Sequence, residues 1–159
     1  MKSSAPDSPT SSKKPPVRGK DPRRQGREAA LQILYAMDLN GETAEQAAAW
    51  YWPLHGAIGA EGQRLAQRLL SQTEALSDEI ALTAATLCPQ YPLERMAPID
   101  RALLRLSLAE MLGQPKTPGP VIIQETIRMS DHYARPEMKK LLNAVLDAVY
   151  KERQKKARE

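Results

Sequence analysis

The chain has 159 residues, 42% of them hydrophobic and none of them Phe, so it has length for one domain whose core must come from Leu, Ile, Val, Ala and Met. A single cysteine, Cys88, and two distant histidines, His55 and His132, exclude an intrachain disulfide and a zinc site built on Cys or on His-Glu-x-x-His. No apolar run approaches the roughly 18 residues of a membrane helix, and the polar N-terminus is not a secretory signal; a cytoplasmic setting is expected. The net charge of +4 divides unevenly: +6 over residues 1–27, −5 over the body, and +3 over 151–159. Basic ends suit a polyanion, whereas the acidic body suits a different partner.

Residues 1–20, rich in Ser, Pro and Lys, offer almost nothing to bury and read as a disordered basic tail. Asp21-Pro22 has the chemistry of an N-cap followed by a first helical residue. Ala30, Leu31, Leu34 and Tyr35 then recur at helical spacing, and Asn40-Gly41 supplies a stop. Thr43-x-x-Gln46 is a capping-box pattern for a second helix, which Pro53 is expected to end. Leu54 to Gly59 reads as a loop. A third helix carries Leu65, Leu69 and Leu70. A fourth, capped at Ser77, carries Ile80, Ala84 and Leu87. Pro92 to Met96 reads as one short turn.

Pro98 opens a helix with Ile99, Leu103 and Leu106 that Gly113 stops. Gln114 to Pro120, with three prolines, reads as a loop, and Val121 to Tyr133 as the next helix. Pro136 starts the last helix, whose buried face is Leu141, Leu142, Val145, Leu146 and Val149. Residues 151–159 read as a basic C-terminal tail. With no alternating strand pattern, the expectation is an all-α compact bundle of about seven helices over residues 21–150.

The only Gly-Lys pair is Gly19-Lys20, and Lys14 stands where a phosphate-binding loop needs its first Gly, so neither a P-loop nor a dinucleotide fingerprint is present. Cys88 reads as a small buried hydrophobe. No catalytic residue, metal ligand or cofactor is assigned, and the chain is expected not to be an enzyme.

Arg23, Arg24 and Arg27 fall in the first two turns of the first helix, where the positive helix end disfavours cations by about 0.3–1 kcal/mol each. Pairing Arg24 with Glu28 would use the weaker orientation. An RNA backbone would explain the cluster, since a guanidinium matches phosphate oxygens and stacks on bases; a tail that only aids solubility is the competing explanation. Lys139-Lys140 is either a second contact or a solvated helix face. Trp50, Tyr51 and Trp52 suit either an exposed docking face or core anchors.

Three segments together resemble the NusB family. The first is Arg23-Arg24-Gln25-Gly26-Arg27-Glu28-Ala29-Ala30-Leu31-Gln32-Ile33-Leu34-Tyr35, similar to that family's arginine-rich first helix. The second is Leu93-Glu94-Arg95-Met96, then Ile99-Asp100-Arg101-Ala102-Leu103-Leu104-Arg105-Leu106 with Glu110, similar to its central helix. The third is Val121-Ile122-Ile123-Gln124-Glu125 with Lys140-Leu141-Leu142-Asn143-Ala144-Val145-Leu146-Asp147. Departures include Gly26 where Ala is common, Ala144 for Gly, and Leu141 for Phe.

The resemblance implies a NusB-like bundle that binds single-stranded boxA-type RNA of ribosomal RNA leader transcripts. It further implies that NusE, a small-subunit ribosomal protein, binds with it, and that the pair joins an RNA polymerase antitermination complex. RNA contacts carried over are Arg23, Arg24 and Arg27, with Glu137, Lys140 and Leu141. NusE contacts carried over are Tyr35, Asp100, Arg105 and Glu110. Tyr35 is equally suited to core packing, and Asp100, Arg101 and Arg105 to a set of internal ion pairs at helical spacing. The same segments also fit a NusB-like domain related to ribosomal RNA cytosine methyltransferases, which need a long second domain with a nucleophilic Cys. They fit, too, a helical protein-interaction module that binds no RNA.

Overall fold

The computed structural model describes residues 21–56, 58–113 and 116–159. Seven α-helices run in order: α1 (Pro22–Asn40), α2 (Ala44–His55), α3 (Ala60–Ala75), α4 (Ser77–Leu87), α5 (Pro98–Gly113), α6 (Gly119–Tyr133) and α7 (Pro136–Arg158), with a 3-10 turn at Leu93–Arg95 before α5. No strand occurs among the described residues, and no described helix is long and apolar enough to cross a membrane. The expected tail at 1–20 lies outside the described residues.

Local signals set several boundaries. The Asp21 carboxylate accepts the Arg23 N–H at 2.9 Å, Pro22 is the first helical residue, and Gly41 closes α1 at φ 66°, a conformation that costs Gly little. Thr43 and Gln46 form the reciprocal capping box. Pro53 does not end α2, which continues to His55; so near the C-terminus, one missing N–H removes only one bond of the last turn. The cap at Ser77 is also corrected. Leu76 alone joins α3 to α4, donating its N–H to Gln72 and accepting the Ile80 N–H, so the two helices share a backbone corner with no side-chain cap. The C-terminal basic run is not a separate element: α7 continues through it to Arg158.

The centre of the bundle is α5, which packs against α1, α3, α4, α6 and α7. Ala102, Leu103, Leu104, Leu106, Leu108, Ala109 and Met111 are all buried, so apolar residues surround nearly the whole circumference, as a helix enclosed on all sides requires. Ion pairs fix the directions of its neighbours. Arg27 meets Glu110 and Asp38 meets Arg101, so α1 runs antiparallel to α5. Asp100 meets Arg135, and Met111 meets Arg153, so α7 runs parallel to α5.

Where α1 crosses α3 the backbones come close. A Cβ on Gly26 would sit 2.6 Å from the Gly62 carbonyl oxygen, and one on Gly62 would sit 2.8 Å from that of Pro22. Gly26 is therefore a packing requirement of this crossing. The aromatic triplet splits: Tyr51 is buried in the core, while Trp50 is exposed and donates its indole N–H to Glu42. Cys88 is buried, with its thiol directed at the Ala84 carbonyl.

Candidate nucleic-acid interface

The first helix presents its arginines unequally, because their spacing turns them toward different neighbours. Arg23 is exposed, and its guanidinium has no ion-pair partner among the described residues. Arg24 keeps 40% of its side chain exposed while its Nε lies 3.2 Å from both oxygens of Glu125 on α6. Arg27 is turned inward. It is 3% exposed and gives a bidentate pair to Glu110, Nε–Oε1 2.9 Å and Nη2–Oε2 2.6 Å. Burial pulls the Arg27 pKa down, but the hydrogen bonds and charge of Glu110, with the charges of Glu125 and Asp21, outweigh it and hold the guanidinium above its ordinary value.

The three arginines expected to face a polyanion are thus presented unequally: Arg23 outward, Arg24 held by Glu125 and Arg27 buried against Glu110. This geometry also supplies the reason for two cations at a positive helix end: Glu125 and Glu110, from α6 and α5, compensate Arg24 and Arg27 across the bundle. A sequence window cannot show this, because the partners are 101 and 83 residues away. Of the three, only Arg23 has a charge with no ion-pair partner among the described residues.

Between α1 and α6 lies a polar seam that has no signature in the sequence. Arg24 pairs with Glu125, Glu125 with Arg128 at 3.2 Å, and Arg128 with Glu28 at 3.5 Å. Further on, Gln32 donates to the Tyr133 hydroxyl and accepts from that of Tyr51. These side-chain bridges ascend both helices together, so α1 and α6 run in the same direction. Glu28 goes to Arg128 across the seam and not to Arg24 along the helix. Glu125 was visible in the Gln124-Glu125 motif, but nothing local marks it as the acceptor for an arginine in the first helix.

At the start of α7, Glu137 and Lys140 are exposed, and Leu141 is half-buried against the core. Glu137 approaches Arg135 at 3.9 Å, and Lys139 pairs with Asp131. A carboxylate in the first turn also stabilises the helix end. Since Glu125 holds Arg24 and Asp131 holds Lys139, the two basic clusters flank α6 about 9 Å apart along its axis, by the helical rise of 1.5 Å per residue.

The residues expected to meet a protein partner divide too. Asp100 is 2% exposed, accepting the Arg135 backbone N–H at 3.2 Å and its Nε at 3.3 Å. Glu110 is Arg27's partner, 3% exposed. Neither carboxylate, expected as a partner contact, is presented at the surface. Tyr35 and Arg105 are half-exposed, and the antiparallel register sets them at about the same level of the α1–α5 pair. Of the internal ion pairs foreseen along α5 for Asp100, Arg101 and Arg105, Asp100 pairs instead with Arg135, the N-cap of α7, and Arg101 with Asp38 of α1.

A seven-helix bundle built around one enclosed helix, with a charged seam along α1, defines an all-α class of protein. Residues 24–151 match the model of the NusB family, and the chain belongs to that family. It is 35% identical to the transcription antitermination protein NusB of Koribacter versatilis over 130 residues, covering 82% of this chain and 89% of that protein. Its fold is similar to the solved NusB of T. maritima, with TM-score 0.74, 25% identity, and coverage of 84% of this chain and 94% of that one. It is also similar in fold to a chain in the crystal structure of antitermination factors NusB and NusE in complex with dsRNA, with TM-score 0.72, 24% identity, and coverage of 82% and 97%.

Proposed function

We propose that this chain is a cytoplasmic transcription antitermination factor, not an enzyme, that binds boxA-type RNA together with NusE and joins an RNA polymerase elongation complex to suppress premature termination. The observation that carries this reading is the family match across residues 24–151, with a relative described as an antitermination protein at 35% identity. A related fold crystallised with NusE and dsRNA supports the choice of partners. In this reading Arg23 and the exposed part of Arg24 meet backbone phosphate, and Arg27 acts from inside by fixing the angle of α1. Glu137, Lys140 and Leu141 form the second contact across α6. Tyr35 and Arg105 face NusE, while Asp100 and Glu110 shape that surface from beneath. The −5 charge of the body complements a basic ribosomal protein.

The test is a titration with labelled boxA-type RNA and a scrambled RNA at two salt concentrations, with and without NusE. Binding is expected to be weak alone, and tighter and sequence-selective with NusE. Arg23→Ala with Arg24→Ala should weaken binding to both RNAs and lower the salt slope by roughly 0.7 per lost phosphate contact. Equal affinity for the two RNAs in the presence of NusE would refute the reading.

A further inference from the structure

Arg23 opens onto a cavity of about 400 Å³ that also takes in Arg68 and Gln72 of α3, and Lys116, Thr117 and Pro118 before α6. Three cations from three separate parts of the chain line it, and no carboxylate among the described residues does. None of the three is ion-paired with a described residue, whereas Arg24, Arg27, Arg101, Arg128 and Arg135 each have a carboxylate. Three like charges around one cavity, with no described carboxylate paired to them, repel one another, and an anion placed among them reverses the sign of that interaction. The wall is built: the Gln72 amide donates to the Gly113 carbonyl at 2.9 Å, and Thr117 is buried. The first turn of α6 has no acidic residue and no side-chain cap, so its positive end adds to the same field.

We propose that this cavity is a phosphate subsite that holds one phosphodiester of the bound RNA strand between Arg23, Arg68 and Lys116. The proposal rests on the RNA-binding reading above and extends that interface from α1 onto α3 and the approach to α6. Arg68 and Lys116 are exposed, so each can be replaced without disturbing the core.

The experiment measures binding of boxA-type RNA in the presence of NusE for the full chain, for Arg68→Gln/Lys116→Gln, and for a control with the same charge loss, Lys155→Gln/Arg158→Gln. The cavity variant should bind roughly three- to tenfold more weakly. Its salt slope should fall by about 0.7, the value for one phosphate, and the control should change little. Inorganic phosphate should shift the Thr117 and Gly119 amide resonances saturably in the full chain and not in the cavity variant. If the full chain binds RNA while the cavity variant matches it, or loses no more than the control, the subsite is refuted and the functional reading stands. If the full chain with NusE binds no RNA, the functional reading itself fails. A polyglutamate peptide that competes for the cavity as well as RNA does would overturn the phosphate assignment in favour of an acidic protein.

Discussion

Replacing Glu110 by Gln leaves the Arg27 guanidinium 3% exposed without its ion-pair partner, with only the more distant charges of Glu125 and Asp21 acting on it. Removing one member of a buried pair costs about 3–5 kcal/mol, because the remaining charge stays desolvated. Here the pair is bidentate, with contacts of 2.9, 3.1 and 2.6 Å, and burial is nearly complete on both sides, so the upper half of that range is expected. For a domain of this size that is a drop in Tm on the order of 10–20 °C. Arg27→Met should cost a similar amount by stranding the carboxylate. The double variant Arg27→Met/Glu110→Leu removes both charges while keeping apolar volume, and should recover most of the loss. Urea denaturation of the four proteins gives the coupling energy directly, and the same four are then titrated with RNA. Strict additivity, or a Glu110→Gln variant within about 1 kcal/mol of the parent, would show that the pair does not hold α1 against α5. If the double variant folds normally yet loses RNA affinity as Arg23→Ala does, Arg27 touches RNA directly and its interior role is refuted.

The packing makes two more outcomes measurable. Gly26→Ala should destabilise by about 1–3 kcal/mol, since its Cβ would meet a backbone oxygen at 2.6 Å that cannot swing aside; a urea midpoint equal to the parent's would contradict the close α1–α3 crossing. Burial pushes the Cys88 thiol above its ordinary 9.0, so the folded chain keeps this proton to higher pH than the unfolded chain does. The resulting stabilisation is complete below about pH 9 and is lost as pH rises through the folded value. Stability measured from pH 8 upward should therefore fall less steeply in Cys88→Ala, and identical slopes would exclude the linkage.

What was legible in the sequence is what short-range chemistry dictates. Asp21-Pro22 and Asn40-Gly41 bound α1 because a carboxylate cap, a fixed φ and a glycine at positive φ act within a few residues. Thr43 and Gln46 satisfy each other's backbone within one turn. The apolar spacing of α5 and α7 shows which residues are buried, since burial follows helical period. The family resemblance rests on the same local segments, and it supplied the residues at the start of α1 as candidates.

Tertiary structure alone decided which of those candidates face solvent. Arg23, Arg24 and Arg27 look equivalent along the chain, yet α5 and α6 bring Glu110 to Arg27 and Glu125 to Arg24, while Arg23 has no ion-pair partner among the described residues. Asp100 and Glu110 look like surface acids in sequence and are interior ones in the fold. The meeting of Arg23 with Arg68 and Lys116 around one cavity has no local signature either. A charge's partner is set by distance in space, and its strength by the water excluded around it; both quantities exist only once the helices have packed.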